Sequence, residues 1–304
     1  MNRLIKKIFL SRFSRYILLI FCIVLFLSII FSPKENKNLF YPNLPIDSNS
    51  VGLIKIEGII NKSEEIVSKI DLFRKNPKIK VLVVFVQSRG GGVGPTQEVV
   101  SAINRFKKSG KKIIASLGSV ATSGGYYIAS ATDKIYAYPG SIIGSIGVLM
   151  MLPNAEGLLN KVGVKMTIIK SSVHKDMTSP FRTMTKKDRD ILKLLVDDIY
   201  RQFVDAVSIG RKLKTKDVLK IADGRVFSGE RGKKIGLVDS LGTRNEAIME
   251  AAQLSGIVGE PSVIELKIKK NLIPSLSSII NAFPSWLGGN LLINNKHILH
   301  YVWN

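Results

Sequence analysis

The run Ile79-Lys-Val-Leu-Val-Val-Phe-Val86 limits the choice of fold more than any other stretch of the chain. Apolar side chains occur on both parities, so a strand made of them must be covered on both faces. A one-sided antiparallel sheet does not provide that cover, whereas a parallel sheet with helices on each side does. The flanking sequence agrees. A glycine turn, Gln87-Ser-Arg-Gly-Gly-Gly-Val-Gly94, is followed by helical spacing over residues 95–107. A second apolar run, Lys112-Ile-Ile-Ala-Ser116, leads into a second turn around Ser123 and a short apolar helix over 126–131. Upstream, residues 51–56 read as a strand and 62–74 as a helix. Strand, glycine turn and helix in repetition predict an α/β fold with parallel strands.

In such sheets, sites form beyond the carboxyl ends of the strands. The glycine turns at Gly90–Gly92 and Ser123–Gly125 both fall there. Ser123 lies at a strand-to-helix turn, where free backbone N–H groups can receive an oxyanion. A helix cap or a tight packing contact is the plainer role for a Ser-Gly-Gly sequence. There is no Walker pattern and no Gly-x-Gly-x-x-Gly, which argues against nucleotide binding. Together the two turns supply a nucleophile and two backbone donors for one oxyanion.

Composition narrows the remaining classes. The formal net charge is +22, which suits nucleic acid, anionic lipid, acidic partners or a generally basic proteome. The basic residues are scattered and no nucleic-acid motif is present, so the membrane surface ranks above nucleic acid. Cys22 is the single cysteine and the histidines are His174, His297 and His300, so no intrachain disulfide and no Cys/His metal cluster is expected. Residues 1–15 are basic without an acidic residue, and 16–32 are almost continuously apolar. This reads as a cytoplasmic N-terminus followed by an uncleaved transmembrane anchor, with Arg15 able to snorkel; a cleaved signal is the alternative. Residues 33–50 form a Pro/Asn-rich linker, 51–256 the folded domain, and 257–304 an apolar tail. The tail has no span long enough for a bilayer, and either packs on the domain or lies at the membrane interface.

Several segments then carry a collinear resemblance. Ser88-Arg-Gly-Gly, Ala121-Thr-Ser-Gly-Gly-Tyr-Tyr127, Ile143-Gly-Ser-Ile-Gly-Val148 and His174-Lys-Asp-Met-Thr-Ser-Pro180 are similar to signature segments of bacterial signal peptide peptidases. Ala222-Asp-Gly-Arg-Val226 and Gly236-Leu-Val-Asp239 extend the match, which runs from about residue 51 to 250. The resemblance implies a Clp/crotonase-like repeated ββα superhelix with parallel strands, preceded by an N-terminal transmembrane helix. It also implies a membrane-bound serine endopeptidase that needs no cofactor or metal and degrades released signal peptides and other apolar peptides through an acyl-enzyme. By position in the motifs, Ser123 is the nucleophile and Lys175 the general base, a Ser-Lys dyad. Ser145 orients the lysine, and the backbone N–H groups of Gly91 and Gly124 form the oxyanion hole. Among 45 Lys and Arg residues nothing but the resemblance selects Lys175, whose default role is a solvated charge. A lysine base must be neutral to accept a proton, which calls for a desolvated position. Ser145 by itself reads as a loop serine between two glycines.

Arg89 stands where the family usually has proline, which loosens the turn and places a charge near the cleft. His174 is the rival base. In an extended segment it and Lys175 would face opposite sides, which favours a structural or surface role for the histidine. Downstream, residues 154–162 read as a helix and 164–170 as a strand. Residues 186–212 read as a helix with a stripe of Ile191, Leu194, Leu195, Ile199, Phe203 and Val207 suited to core or subunit packing. Residues 215–222 and 244–254 read as further helices, the last capped by Thr243. Single-length members of the family form homo-oligomeric rings in which a neighbouring subunit can supply the lysine. The expected location is the inner (cytoplasmic) membrane, with the catalytic domain on the periplasmic or external side. Acyl-CoA chemistry on the crotonase-like fold and a non-catalytic membrane scaffold are the alternatives.

Overall fold

A computed structural model describes residues 39–40, 49–268 and 300–302 of the 304-residue chain. The basic segment, the expected anchor, His297, and most of the linker and tail lie outside the described residues. The chain divides into two compact units, Met1–Pro42 with Lys267–Asn295, and Asn43–Leu266 with Lys296–Asn304. Of the first unit, the described part is β1 (Leu39–Phe40) paired antiparallel with Lys267–Ile268.

The second unit carries a mixed sheet of nine strands with helices around it. It opens with β2 (Ser50–Ile60), α1 (Glu64–Lys75), β3 (Val81–Gly92), α2 (Val93–Lys108), β4 (Lys112–Thr122) and α3 (Gly124–Ser130). Next come β5 (Lys134–Ala137), β6 (Ile142–Gly144), α4 (Glu156–Lys161), α5 (Lys186–Arg211) and α6 (Thr215–Leu219). The remaining elements are β7 (Val226–Ser228), α7 (Gly229–Lys234), β8 (Ser240–Leu241), α8 (Arg244–Leu254), β9 (Ser262–Glu265), β10 (Lys267–Ile268) and β11 (His300–Val302), of which β10 is the partner of β1. The main strand order is β7-β6-β4-β3-β2-β9, with β5 and β8 attached to β4 and β11 to β3. Pairing is parallel except between β6 and β7 and between β11 and β3.

The doubly apolar run behaves as its pattern demands. Val81, Leu82, Val83, Val84 and Val86 are all fully buried. On one face, Val51, Leu53, Val81, Val83 and Ile114 pack with Ala247, Ile248 and Ala251 of α8. On the other, Leu82 of β3 and Phe73 of α1 flank Gly52, where an added Cβ would lie 3.2–3.3 Å from their side chains. Each such aliphatic contributes about 1.5–3 kcal/mol by leaving water. Thr243 caps α8 in a reciprocal capping box with Glu246.

Two irregularities shape the carboxyl end of the sheet. The β2–β3 register slips between Glu57 and Ile59, and the β3–β4 register slips between Val86 and Ser88. Gln87 fills the second slip: its Oε1 accepts from Ser119 N at 2.7 Å, in space that a side chain on Gly118 would occupy. Beyond the slips, β4 pairs with β6 in place of β5. Such bulges bend and re-aim a strand end.

Four local expectations change. Gly90–Gly92 is the end of β3 and not a turn, because β2 and β11 pair with it. Residues 164–170 form no strand; among the described residues no strand pairs with them, and all are exposed. Leu194 and Leu195 of the expected stripe are 67% and 43% exposed, while Leu192, Ile199, Phe203, Val204 and Val207 are buried. Along α5, Phe203 meets Tyr127 of α3 with ring centroids 4.8 Å apart, and Gly210 lies against the Ser130 carbonyl, so the face that carries Ile199, Phe203 and Val207 turns inward and leaves Leu194 and Leu195 outside it. Finally, residues 172–178 form successive turns, not an extended segment, so the alternation argument used for His174 and Lys175 does not apply.

Candidate active site

Ser123 connects β4 to α3 at φ 52° and ψ −121°, a conformation that L-residues with side chains seldom adopt. The turn is held at both ends: Ser123 N donates to Gly144 O at 2.8 Å, and Tyr127 N donates to Ser123 O at 2.8 Å. The residue is 1% exposed, and among the described residues its Oγ has no hydrogen-bond partner. A buried hydroxyl without a partner costs about 1–3 kcal/mol, and a non-glycine residue at such φ/ψ a further 1–3 kcal/mol or so. Surrounding structure must impose both costs, and this is characteristic of reactive positions. Among the described residues, the non-glycine residues at positive φ are Ser123, Ser145 and Lys212. Two of the three are expected site residues.

Ser145 immediately follows the Gly144 carbonyl that holds Ser123, so β6 brings the two serines together. Its amide donates to Arg225 O at 2.9 Å, and the residue is 6% exposed. It borders a cavity of about 620 Å³ whose wall includes Val148, Val196, Tyr200, Ala222 and Gly224. Ser123 is not part of that wall.

Gly91 lies where only glycine fits. A Cβ there would be 2.6 Å from Ile60 C and Ile60 N, and closer still to the Ile60 carbonyl oxygen. Gly125, next to Gly124, packs so that a Cβ would lie 3.0 Å from Ser88 O. The first turn of α3 therefore sits against the end of β3. The first amides of α3, including that of Gly124, have no carbonyl partner within the helix. Ser88, to which the sequence assigned no role, organises this end: its Oγ donates to Gly58 O at 2.6 Å and accepts from Gly90 N at 3.0 Å. A buried serine before a glycine run was the available signal, but its partner is 30 residues upstream. Arg89 is exposed. Beyond Ser88↔Ala121, β3 and β4 no longer pair, and β11 lies antiparallel along β3 with His300↔Gly92, Tyr301↔Gly91 and Val302↔Gly90. This strand also contacts α3.

Lys175 makes no hydrogen bond to Ser123 within the chain: it is exposed, and among the described residues Ser123 Oγ has no partner. The residues on either side of it are anchored. Asp176 accepts two hydrogen bonds from Arg182, at 2.9 and 3.0 Å, and one from Lys170 at 2.6 Å. His174 Nδ1 lies 3.4 Å from Asp188 Oδ1. Asp188 is 2% exposed, closes a capping box with Thr185 at the start of α5, and accepts from Arg182 Nη1 at 2.9 Å. Hydrogen bonds from Arg182 and then Lys170 hold the Asp176 carboxyl well below the usual carboxylate range. Those from Thr185 and Arg182 do the same for Asp188. Nothing in the sequence pointed to this cluster. Among the described residues no His/Cys/Asp/Glu group could hold a metal, and no helix is long and apolar enough to cross a membrane.

Comparison with known proteins gives the family. Residues 105–258 match the model of peptidase family S49. The chain is 41% identical over 189 residues to "Putative protease slr0021" of Synechocystis sp., covering 62% of this chain and 67% of that one. It is 31% identical over 228 residues to "Putative signal peptide peptidase SppA" of Enterococcus faecium, covering 75% and 63%. Against "Protease 4" of Haemophilus influenzae it is 33% identical over 217 residues, covering 68% of this chain and 35% of that one. The match thus spans about two thirds of the first two relatives and about a third of the last. Among solved structures, a ClpP1 mutant from Listeria monocytogenes aligns with a TM-score of 0.45 at 15% identity, covering 67% of this chain and 96% of that one. A family model that matches half of the chain, together with relatives named as proteases, identifies it: the chain belongs to peptidase family S49.

Proposed function

We propose that the chain is a serine endopeptidase of Clp/crotonase-like fold that cleaves apolar peptides, released signal peptides among them, with a Ser123–Lys175 dyad. The observation that carries the reading is the Ser123 hydroxyl, buried and unpartnered in a strained turn, with the first amides of α3 beside it. Ser123 Oγ attacks the scissile carbonyl carbon while the neutral Lys175 amine takes its proton. The amides of Gly91 and Gly124 receive the oxyanion. Collapse expels the amine product, which takes the proton from Lys175, and leaves an acyl-enzyme. Water that gives its proton to Lys175 then releases the acid and restores Ser123.

The exposed position of Lys175 supports a site completed between copies of the chain, the base of one copy reaching Ser123 of the next. Burial against that copy would provide the desolvation that a neutral lysine requires. Ser145 orients the incoming amine. Exposed apolar residues on the same segment, Met151, Leu158, Val162, Ile169 and Val173, suit packing against another copy in a ring. The backbone pairing of β11 along Gly90–Gly92 supports an extended substrate in the same antiparallel place. The apolar N-terminal segment anchors the enzyme in the inner membrane beside lipid, with the catalytic domain on the far side. Membership of a peptidase family favours peptide-bond hydrolysis over the acyl-CoA and scaffold alternatives.

The test is cleavage of apolar peptides by the full chain. Wild type should cleave, and Ser123→Ala and Lys175→Ala should not; continued cleavage by Ser123→Ala would overturn the proposal. Co-assembled Ser123→Ala and Lys175→Ala chains should regain part of the activity. No recovery despite demonstrated co-assembly would exclude a shared site.

A further inference from the structure

We infer that Arg182 is a positioning residue for the base, holding Lys175 in place by clamping the segment around it to the start of α5. The inference rests on Lys175 being the base, as proposed above. It begins with a mismatch between order and exposure. Residues 164–180 carry no helix or strand, and Lys175 itself is solvent-exposed. The backbone bonds on either side of Lys175 are long, Lys175 N to Ser172 O and Met177 N to His174 O both at 3.3 Å, and the first short one comes after it, Ser179 N to Asp176 O at 2.9 Å. A lysine on such a segment would sample many positions. A base, by contrast, must hold its nitrogen near hydrogen-bonding distance of the proton that it takes.

The ion-pair cluster supplies the missing constraint. Arg182 grips Asp176, immediately after Lys175, through the Nε and Nη2 fork at 2.9 and 3.0 Å. Its Nη1 reaches Asp188 at 2.9 Å, and the same carboxylate approaches His174, immediately before Lys175, at 3.4 Å. Residue 175 is thus fixed on both sides, and both ties run to Asp188. That aspartate is anchored to the backbone: Thr185 N donates to it at 3.2 Å, and its own amide donates to Thr185 Oγ1 at 3.1 Å. The Asp176 and Asp188 side chains are 8% and 3% exposed, so the ties lie largely out of water although Lys175 points into it. A planar, doubly forked guanidinium suits this bridge better than a lysine ammonium, which cannot keep the bidentate geometry. The arrangement stiffens the backbone under the lysine and leaves its side chain free to reach outward.

The experiment uses the full chain and has two readouts that a purely structural role would not move. The first is the kinetic split. Misplacing a catalytic group by about 1 Å costs on the order of 10²-fold. Arg182→Ala should therefore lower kcat by roughly 10- to 100-fold and leave KM within about twofold, because the peptide-pairing edge at Gly90–Gly92 is untouched. Arg182→Lys should recover only part of kcat. The second readout is complementation. Arg182→Ala chains co-assembled with Ser123→Ala chains should regain activity as Lys175→Ala chains do, because the Ser123→Ala copy brings an intact clamp and lysine. Recovery with Lys175→Ala but none with Arg182→Ala would overturn the inference and leave the shared dyad standing. If neither mixture recovers, the sharing of the site has failed, and the kcat-against-KM split decides the clamp. An unchanged kcat in Arg182→Ala, or full kcat in Arg182→Lys, would also overturn it. If Lys175→Ala itself keeps full activity, the dyad fails and the inference falls with it.

Discussion

Gly91→Ala is the substitution whose outcome the structure fixes most tightly. The new Cβ would lie 2.6 Å from the carbonyl carbon and the nitrogen of Ile60, about 0.8 Å inside the 3.4 Å at which ordinary contact begins. Both atoms are backbone, so no rotamer change can relieve the clash, and β2 and β3 must separate. Overpacking of this kind costs about 1–3 kcal/mol, which should appear as a lowered urea midpoint at unchanged m-value. The same movement displaces the amide expected to receive the oxyanion. Loss of one such donor costs on the order of 10²–10³-fold in kcat. Two controls separate the effects. Gly94→Ala meets nothing within 4 Å and should change neither quantity. Gly210→Ala would strike the Ser130 carbonyl, and should lower the midpoint with a smaller loss of kcat. The assays are urea unfolding followed by circular dichroism, and peptide cleavage under saturating substrate. A Gly91→Ala enzyme that keeps both its midpoint and its kcat would refute the steric argument and the donor role together.

Other outcomes follow from the same geometry. Ser123→Ala should abolish cleavage yet leave the chain as stable or about 1 kcal/mol more stable, because it removes a buried hydroxyl without a partner; a clear loss in thermal stability would contradict that. Asp176 and Asp188 have depressed folded-state pKa values, so their stabilisation is present above the ordinary carboxylate value of 3.8 and is lost as pH falls below it. Asp188→Asn should flatten the acid limb of a stability-against-pH curve, and an unaltered limb would count against the cluster. Tyr301→Pro removes an N–H from the strand paired with Gly91 and should open that edge, lowering KM for an extended peptide; an unchanged KM would mean that the edge is not used.

Much of the fold was legible because it follows from local chemistry. The apolar run at 79–86 required cover on both faces and received it from α1 and α8. Thr243 was readable as a cap because its partner, Glu246, is three residues away. The errors arose where distant partners decide. Glycines have poor strand propensity, yet Gly90–Gly92 is a strand because β2 and β11 pair with it. Residues 164–170 have strand-like composition, but no strand among the described residues lies beside them to pair with. Ile199, Phe203 and Val207 of the expected stripe pack inward, but Leu194 and Leu195 do not, because the buried face continues through Leu192 in their place.

The candidate site divides in the same way. The parallel α/β order, the glycine-flanked Ser123 at a strand-to-helix junction, and the ordered motifs shared with a peptidase family were readable along the chain, since each lies within a few consecutive residues. Tertiary structure alone decided that Ser123 is strained, buried and unpartnered, and that Gly144 ties it to Ser145. It also decided that Lys175 points into solvent over a clamp made by Asp176, Arg182 and Asp188. These depend on where separate segments meet, and burial and hydrogen bonding between residues far apart in the chain leave no periodic trace along it.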